Sequence, residues 1–304
     1  MDPSFDEYIR LRRTEVEAAL AAILPRPPEC PAIVADAMQY SVTAGGKRLR
    51  PILCLASAEA VGGDRSMAMP VACAIELIHT YSLVHDDLPA MDNDTMRRGR
   101  PTLHVVAGEG MAILAGDGLL TEAFAVMAGA FAGADTTVRM RQLRVIAIVA
   151  RAAGASGMVG GQALDLIGNN RGRDNEPAAT SADQLALISS KKTGALIRAS
   201  AVAGAIMGGA SDHDVAMIDD AAEQFGLAFQ IIDDILDVEG VASTLGKTIG
   251  KDAAAGKPTY PAIYGLDAAR RMAGECLEKA ERTLRSAHLA ESRLMVIGRW
   301  IVDR

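Results

Sequence analysis

The apolar residues in the second half of the chain recur at the spacing of an α-helix. Between Ser211 and Val238 they alternate in steps of four and three residues: Ile218, Ala222, Phe225, Phe229, Ile232 and Leu236. This period places them on one face of a helix, and the polar sequence at residues 211–214 is typical of a helix start. The pattern predicts one long helix with a buried face.

Prolines delimit a second predicted helix. Pro70 suits its first turn, where the N–H group that proline lacks would have no partner within the helix. We expect the helix to cover residues 71 to about 88 and to end at Pro89, because a proline ring cannot continue the backbone hydrogen-bond ladder. A third helix is expected to start with a capping box at Ser181, after a polar segment at residues 168–180.

The composition favours helices throughout the chain. Of the 304 residues, 50% are hydrophobic but only 4% are aromatic, so Ala, Leu, Ile and Met supply most of the apolar content. A mix of this kind favours helix over sheet, because sheets recruit branched and aromatic side chains. Because no linker or short-period repeat is present, we predict one domain over residues 1–304.

Charge and cysteine content exclude several classes of protein. The net charge of −7 argues against nucleic acid as a general partner, because phosphate backbones require a basic surface. The scattered cysteines indicate buried thiols in a reducing compartment: Cys30, Cys54, Cys73 and Cys276. The N-terminal segment lacks the pattern of a secretory signal, and no uninterrupted apolar run is long enough to span a membrane. A cytoplasmic protein without stable membrane insertion is expected.

The first of two acidic clusters, HDDLPAMDND, covers residues 85–94. Its Asp86 and Asp92 can converge only if the chain bulges between them, and the Leu-Pro-Ala sequence around Pro89 supplies such a break. Carboxylates at the C-terminal end of a helix oppose the helix dipole and cost stability unless cations compensate them. A single cluster of this kind would more simply be a solvated helix end.

The second cluster makes that simpler interpretation unattractive. Asp233 and Asp237 lie one turn apart on one helix face, Asp234 is beside them, and Gln230 precedes them on the polar side of the same helix. Grouped carboxylates suit hard divalent cations, and Mg²⁺ in particular is commonly bound by a few carboxylates together with phosphate oxygens and water. The two clusters together indicate a diphosphate ligand.

Positive charge for such a ligand is concentrated in short runs near glycines. These runs contribute Lys47, Arg50, Arg97, Arg98, Lys247 and Lys257. Any one of them is most simply a surface cation. Because the runs accompany the acidic clusters, the set favours a site in which cations and backbone amides bind phosphate groups.

The ordered set of motifs resembles the trans-prenyltransferase (polyprenyl synthetase) family, in particular its short-chain farnesyl and geranylgeranyl diphosphate synthases. The resemblance is carried by GGKRLRP, HDDLPAMDND with RRGRPT, GGQALDL, KKTGALI, FQIIDDILD and LGKTIGKD with GKPTYP. It covers nearly the whole chain, and the ordered set is far more specific than any one string. It implies an all-α, single-domain orthogonal bundle of about ten or more helices around a central cavity, the isoprenoid synthase class I fold. It also implies a homodimer.

The resemblance assigns roles to individual residues. It assigns Mg²⁺ to Asp86, Asp87, Asp92, Asp233, Asp234 and Asp237. It assigns the allylic diphosphate to Arg97, Lys192, Thr193, Gln230, Lys247 and Lys257, and isopentenyl diphosphate to Lys47, Arg50, His79 and Arg98. The residues expected to be catalytic are Asp86, Asp92, Asp233, Lys192 and Arg97. At Thr95-Met96 the chain departs from the Asp-Leu that is usual in relatives, which reduces the negative charge near the first motif.

The implied reaction joins isopentenyl diphosphate to a carbocation formed from an allylic diphosphate. Water would capture such a cation, so the pocket has to be apolar and dry. A bulky residue below the first acidic motif would stop chain growth. Tyr81 suits that place because it lies five residues before Asp86, and five helical residues rise about 7.5 Å. We therefore expect dimethylallyl and geranyl diphosphate as allylic substrates and trans farnesyl diphosphate as the product.

Three other functions are compatible with parts of this pattern. Geranylgeranyl diphosphate synthase is the main alternative, because Tyr81 could simply pack in the core. A class I terpene cyclase typically has one DDxxD motif and a different second metal motif, and a non-catalytic subunit of a heteromeric synthase should have eroded motifs. The two intact acidic motifs favour the chain-elongating enzyme.

Overall fold

Helices make up about three quarters of the chain that the computed structural model describes, which is residues 4–168, 181–240 and 259–304. The helices are α1 (Phe5–Ile23), α2 (Ala32–Val42), α3 (Leu49–Ala60), α4 (Met69–Asp86), α5 (Leu103–Ala107), α6 (Glu109–Gly129), α7 (Thr136–Ala153), α8 (Met158–Gly168), α9 (Ala182–Ser189), α10 (Ala195–Gly208), α11 (Asp212–Glu239), α12 (Tyr260–Tyr264), α13 (Leu266–Ser286) and α14 (Arg293–Asp303). In the described ranges, strands are limited to the antiparallel hairpin of β1 (Met96–Arg97) and β2 (Arg100–Pro101). The predicted all-α fold is confirmed.

The long helix predicted from the apolar pattern is α11. It starts after Ser211, whose hydroxyl accepts a hydrogen bond from the N–H of Asp214, and it ends at Glu239. Five of the six apolar residues in the predicted stripe are buried, and Phe229 is partly buried. The predicted capping box is also present, because Ser181 caps the start of α9.

The helix predicted from the prolines is α4, but its end lies earlier than expected. Pro70 is in the first turn as predicted, and the helix ends at Asp86 rather than near Leu88. The N–H of Leu88 turns onto the carbonyl of His85 at 3.1 Å instead of continuing the helix. The cause is steric, because the residue before a proline is disfavoured in helical conformation.

The core lies where α3, α4, α10 and α11 pack against one another, with α6 beside α4 and α13 beside α11. Helices α10 and α3 touch backbone to backbone. A Cβ atom on Gly204 of α10 would lie only 1.9 Å from the carbonyl oxygen of Cys54 in α3. Helix α10 also packs against α11. It therefore connects α3, which follows Lys47, to α11, which carries the second acidic motif.

The cysteines are reduced in this structure, and most are buried. Cys54, Cys73 and Cys276 lie in the core as predicted. Burial raises the pKa of Cys73 to about 12 and that of Cys276 to about 11. The prediction is wrong for Cys30, which is partly exposed because it lies in the short connection between α1 and α2.

Two stretches, Glu109–Gly129 and Thr136–Ile167, are long and apolar enough to cross a membrane by length and composition alone. The first is α6, which packs against α2 and α4, and the second is divided between α7 and α8. One or two such stretches are weak evidence, since core helices of other proteins satisfy the same criterion. The absence of stable membrane insertion and the single domain over residues 1–304 stay predictions.

We predict that Gly204→Ala destabilises the protein by more than about 2 kcal/mol, because overpacking a filled contact forces backbones apart. Gly274→Ala is the matched control, since a Cβ atom on Gly274 in α13 would meet no atom within 4 Å. The control should stabilise the protein by about 0.5–1 kcal/mol through helix propensity alone. Urea unfolding followed by circular dichroism measures both free energies, and equal effects would contradict the close contact of α10 with α3.

Candidate functional site

The chain folds back directly after α4 and brings Asp92 to Asp86. The N–H of Asp92 donates to the carbonyl of Asp86 at 2.8 Å, and the N–H of Asp94 donates to the carbonyl of Asp87 at 3.1 Å. Between them, Asn93 has a φ of 52°, in the left-handed region that helps reverse the chain. The bulge expected around Pro89 is therefore present, and it joins the two ends of the first acidic motif.

The surroundings of Asp86 oppose its negative charge. Burial raises the pKa of Asp86 to about 6, Lys192 and Arg97 lower it, and the neighbouring carboxylates Asp92 and Asp87 raise it. Carboxylates that share a site in this way repel one another. A bound cation would relieve the repulsion between Asp86 and Asp92.

Asp87 and Arg97 form a two-pronged ion pair. The Nε atom of Arg97 lies 2.8 and 2.9 Å from the two carboxylate oxygens of Asp87, and its Nη2 atom lies 2.6 Å from Oδ1. The pair ties the β1–β2 hairpin to the end of α4. It uses one edge of the guanidinium, so the other edge can still donate to an anion.

The second acidic motif is connected to α12 and to the turn between α9 and α10 by a chain of hydrogen bonds. The Thr193 hydroxyl donates to Oε1 of Gln230 at 2.8 Å, and Nε2 of Gln230 donates to Oδ1 of Asp234 at 2.8 Å. The N–H of Tyr260 donates to Oδ2 of Asp234 at 3.0 Å. Both carboxylate oxygens of Asp234 thus accept hydrogen bonds from the protein.

The other two aspartates of this motif have different surroundings. Asp233 is partly exposed, its Oδ1 lies 3.7 Å from Nη2 of Arg304, and its charge also acts on Lys47 and Arg50. Asp237 is buried, with 3% of its surface exposed. Asp233 is therefore the member of the motif that faces the cations assigned to substrate.

Lys192 and Thr193 lie in a π-helical turn, Ser190–Gly194, that joins α9 to α10. Lys192 pairs with the buried carboxylate of Asp165 in α8. The backbones of α8 and this turn are in close contact. A Cβ atom on Gly161 of α8 would lie only 2.2 Å from the backbone nitrogen of Lys192. π-Helical turns within α-helices are frequent at functional sites. In this turn, the charge of Lys192 acts on Asp86, and the hydroxyl of Thr193 donates a hydrogen bond to Gln230.

The turn before α3 is built around Arg98. The guanidinium of Arg98 donates to the carbonyl of Gly45. A Cβ atom on Gly46 would lie 2.6 Å from Cζ of Arg98, and Gly46 has a φ of 129°. The φ value requires glycine there, and a side chain at this position would also displace the Arg98 guanidinium. The hairpin arginine thus fixes the turn that carries Lys47.

His79 is neutral at physiological pH. Burial lowers its pKa well below the ordinary value, and the positive charges of Arg50, Arg98, Arg97 and Arg48 lower it further. Burial also lowers the pKa of Arg50 to about 10, which leaves it charged at neutral pH. Together they offer an anion both hydrogen-bond donors and positive charge.

Tyr81 is buried, and its ring packs edge-on against His85 with 5.6 Å between ring centroids. Nε2 of His85 lies 3.1 Å from the carbonyl oxygen of Ile113 in α6. A Cβ atom on Gly116 of α6 would lie 2.1 Å from the same nitrogen, so this glycine makes room for the imidazole. Tyr81 therefore packs against His85, which is itself in contact with Ile113 and Gly116 of α6.

The described residues include no group of three or more His, Cys, Asp or Glu side chains close enough to hold a metal ion on their own. Mg²⁺ does not require one, since one or two carboxylates with water and substrate phosphates commonly bind it. Asp86 and Asp92, whose backbones are joined by a hydrogen bond, fit this donor set. Lys247 and Lys257 lie outside the described residues.

Four residues that contact the predicted site were not predicted from the sequence. They are Asp165, which pairs with Lys192; Arg304, near Asp233; and Arg48 with Glu76, which pair beneath the turn before α3. Arg48 lies inside the GGKRLRP motif and Asp165 inside the GGQALDL motif. Each is a charged residue within a recognised motif, and that signal could have identified both. No local pattern identifies Arg304.

Comparison with known proteins agrees with these features. The polyprenyl synthetase family model matches residues 31–291. The farnesyl diphosphate synthase of Geobacillus stearothermophilus is 44% identical over 99% of this chain and 98% of its own length. The geranylgeranyl diphosphate synthase of Cyanophora paradoxa is 43% identical over 98% of this chain and 95% of its own length.

A solved structure also matches along the whole chain. The crystal structure of an FPP/GFPP synthase from Zymomonas mobilis has a TM-score of 0.83 at 33% identity, and the match covers 98% of both chains. The fold is thus the one that the resemblance implied. This chain belongs to the polyprenyl synthetase family of prenyltransferases.

Proposed function

We propose that this protein is a Mg²⁺-dependent, chain-elongating trans-prenyl diphosphate synthase. Its substrates are isopentenyl diphosphate with dimethylallyl or geranyl diphosphate, and its product is trans farnesyl diphosphate. One observation carries the proposal: the turn at residues 190–194 is bonded to the second acidic motif and carries a cation whose charge acts on the first. Lys192 acts on the charge of Asp86, and Thr193 is bonded to Gln230, which is bonded to Asp234.

The cations provide the main catalytic effect. Lys192 and Arg97, with Thr193 and Gln230, bind the allylic diphosphate and stabilise the negative charge that grows on it as the carbon–oxygen bond breaks. Preformed donors in a water-poor site are effective because they need no rearrangement at the moment of reaction. Lys247 and Lys257 stay predicted members of this group.

Asp86, Asp92 and Asp233 would hold Mg²⁺, which supplies Lewis-acid neutralisation of the leaving diphosphate. Asp87, Asp234 and Asp237 stay predicted ligands. Asp87 and Asp234 already accept hydrogen bonds from Arg97, Gln230 and Tyr260. Their contribution is therefore expected to be smaller than that of Asp233.

The second substrate is bound by a separate group of residues. Lys47, Arg50, Arg98 and neutral His79 hold the diphosphate of isopentenyl diphosphate, so that its double bond can attack the allylic cation. Proton loss then completes the product. In this family the departing diphosphate is the expected base, and no protein residue is assigned that role.

We predict that removing divalent metal with a chelator abolishes product formation, and that Asp233→Asn lowers kcat/KM by at least about 10²-fold. Asp220→Asn is the matched control, since Asp220 is an exposed aspartate on the same helix, α11. It should leave activity unchanged. The assay follows incorporation of labelled isopentenyl diphosphate into longer prenyl diphosphates. Full activity without metal, or a cyclic hydrocarbon as the product, would contradict the proposal.

The length of the product is proposed from Tyr81. Its burial and its contact with His85 support a fixed floor to the cavity. The relatives include both farnesyl and geranylgeranyl diphosphate synthases. Geranylgeranyl diphosphate therefore stays the alternative product.

We predict that Tyr81→Ala lengthens the main product by at least one isoprene unit, because removing the ring opens space below the first acidic motif. Tyr264→Ala is the control, since Tyr264 is 43% exposed on α12. Chromatography of the dephosphorylated products measures chain length. An unchanged product from Tyr81→Ala would show that this ring does not limit growth.

We also propose that the protein is a cytoplasmic homodimer. Apolar side chains on the described surface support the dimer: on α5 and α6, Val105, Val106, Ile113 and Leu114 are each between 45% and 55% exposed. An apolar group of this kind is typical of a protein–protein interface. Helix α6 would then carry residues of the interface as well as Gly116, which lies against His85.

We predict that Leu114→Glu converts the dimer to a monomer, because a charge at the centre of an apolar interface loses its water without gaining a partner. Sedimentation velocity measures the mass. The control is Ile167→Glu, which replaces an exposed apolar residue of α8 and should leave the mass unchanged. A dimer that persists in Leu114→Glu would exclude this surface.

A further inference from the structure

A buried ion pair lies beneath the turn that carries Lys47. Nη1 of Arg48 donates to Oε1 of Glu76 at 2.7 Å, and each of the two side chains is only 2% exposed. Nη2 of Arg48 donates to the carbonyl of Val42 at 2.6 Å. The chemistry described above uses neither Arg48 nor Glu76. Breaking such a pair is costly, because the remaining charge is left in the interior without its partner.

The backbone of Arg48 determines the shape of this turn. Arg48 immediately precedes α3 and has a φ of 51°, in the left-handed region that side chains other than glycine rarely adopt. Such a conformation persists only where the surroundings fix it. The hydrogen bonds from Arg48 to Glu76 and Val42 fix this backbone conformation. Because Lys47 and Arg50 lie only one and two residues from Arg48, the conformation also determines the directions of their side chains.

Glu76 also faces the other cations of this region. Its charge opposes the lowering of the pKa that burial causes in Arg50 and Arg98. His79 follows it by three residues on α4, so the two residues are neighbours on the helix surface. The carboxylate thus lies among several residues that are predicted to bind one diphosphate.

We propose that Glu76, acting through Arg48, is a positioning residue for the isopentenyl diphosphate site. The inference rests on the proposed function. The pair holds residues 45–50 in the shape that directs Lys47 and Arg50 to one side, and it does not touch the substrate. Removing a negative charge would by itself make the site more attractive to an anion. Positioning requires the opposite result, because the loss of geometry has to outweigh the gain in charge.

Glu76→Gln removes the charge and keeps the size of the side chain. With geranyl diphosphate as co-substrate, we expect the KM for isopentenyl diphosphate to rise at least about tenfold, since small displacements of binding groups have large effects. The KM for geranyl diphosphate and kcat at saturation should change little. An unchanged or lower KM for isopentenyl diphosphate, or an equal rise in both KM values, would overturn the proposal.

A second variant tests the pair itself. Arg48→Met should raise the KM for isopentenyl diphosphate by a similar factor, and the double variant Glu76→Gln/Arg48→Met should add little, because residues that act together are not additive. The double variant also leaves no buried charge unpaired, so it keeps the test valid if one single variant folds poorly. Fully additive effects would show that Glu76 does not act through Arg48.

Glu59→Gln is the matched control on the far end of α3. Glu59 accepts hydrogen bonds from Tyr8 at 2.6 Å and from Arg12 at 3.3 Å, away from the turn. This variant should lower thermal stability without changing the ratio of the two KM values. A selective rise in the KM for isopentenyl diphosphate in Glu59→Gln would mean that any loss of stability has this effect, and it would overturn the proposal.

The chain contains a reporter for the same question. Nζ of Lys47 lies 5.9 Å from the ring centroid of Trp300, which is the one tryptophan in the sequence. The fluorescence emission of Trp300 should change when isopentenyl diphosphate is added alone. In Glu76→Gln, the midpoint of this titration should shift to a higher concentration of isopentenyl diphosphate. If the unaltered protein forms no product from both substrates with Mg²⁺, the proposed function fails. If that protein is active and Glu76→Gln behaves like it, only the positioning role fails.

Discussion

The site depends on keeping several charges of both signs close together inside a bundle of apolar helices. An interior charge without a partner costs several kcal/mol, so each charge has to be compensated within the fold. The compensating pairs are Arg97 with Asp87, Lys192 with Asp165, Arg48 with Glu76, and Arg304 near Asp233. They allow donors to be oriented in advance, and preorganised donors are what transition-state stabilisation requires.

The same pairs connect parts of the chain that are far apart in sequence. Lys192 and Asp165 join the π-helical turn to α8, and the chain from Thr193 to Tyr260 joins that turn to α11 and α12. Backbone strain is also concentrated in the loops of the site. In the described ranges, four residues other than glycine have positive φ, and Arg48, Asn93 and Arg98 of these lie in the loops of the site. Strained conformations persist where the surroundings over-determine them.

Local patterns in the sequence predicted local structure well. The apolar stripe of α11, Pro70 in the first turn of α4 and the meeting of Asp86 with Asp92 each depend on residues close in sequence, and each is present. Helix α4 ends at Asp86, before the predicted end near Leu88, because Pro89 disfavours the helical conformation of the residue that precedes it. Partners such as Arg304 and Asp233 lie 71 residues apart. Such pairs depend on how helices pack, and hydrophobic periodicity contains no information about them.

The burial of three cysteines has a chemical consequence. A thiol reacts with oxidants and alkylating reagents as the thiolate, and burial keeps Cys54, Cys73 and Cys276 protonated at neutral pH. Cys30, in the connection between α1 and α2, is the partly exposed thiol. A maleimide dye or spin label should therefore attach at that connection first, which provides a handle for spectroscopy that leaves the helical core unmodified.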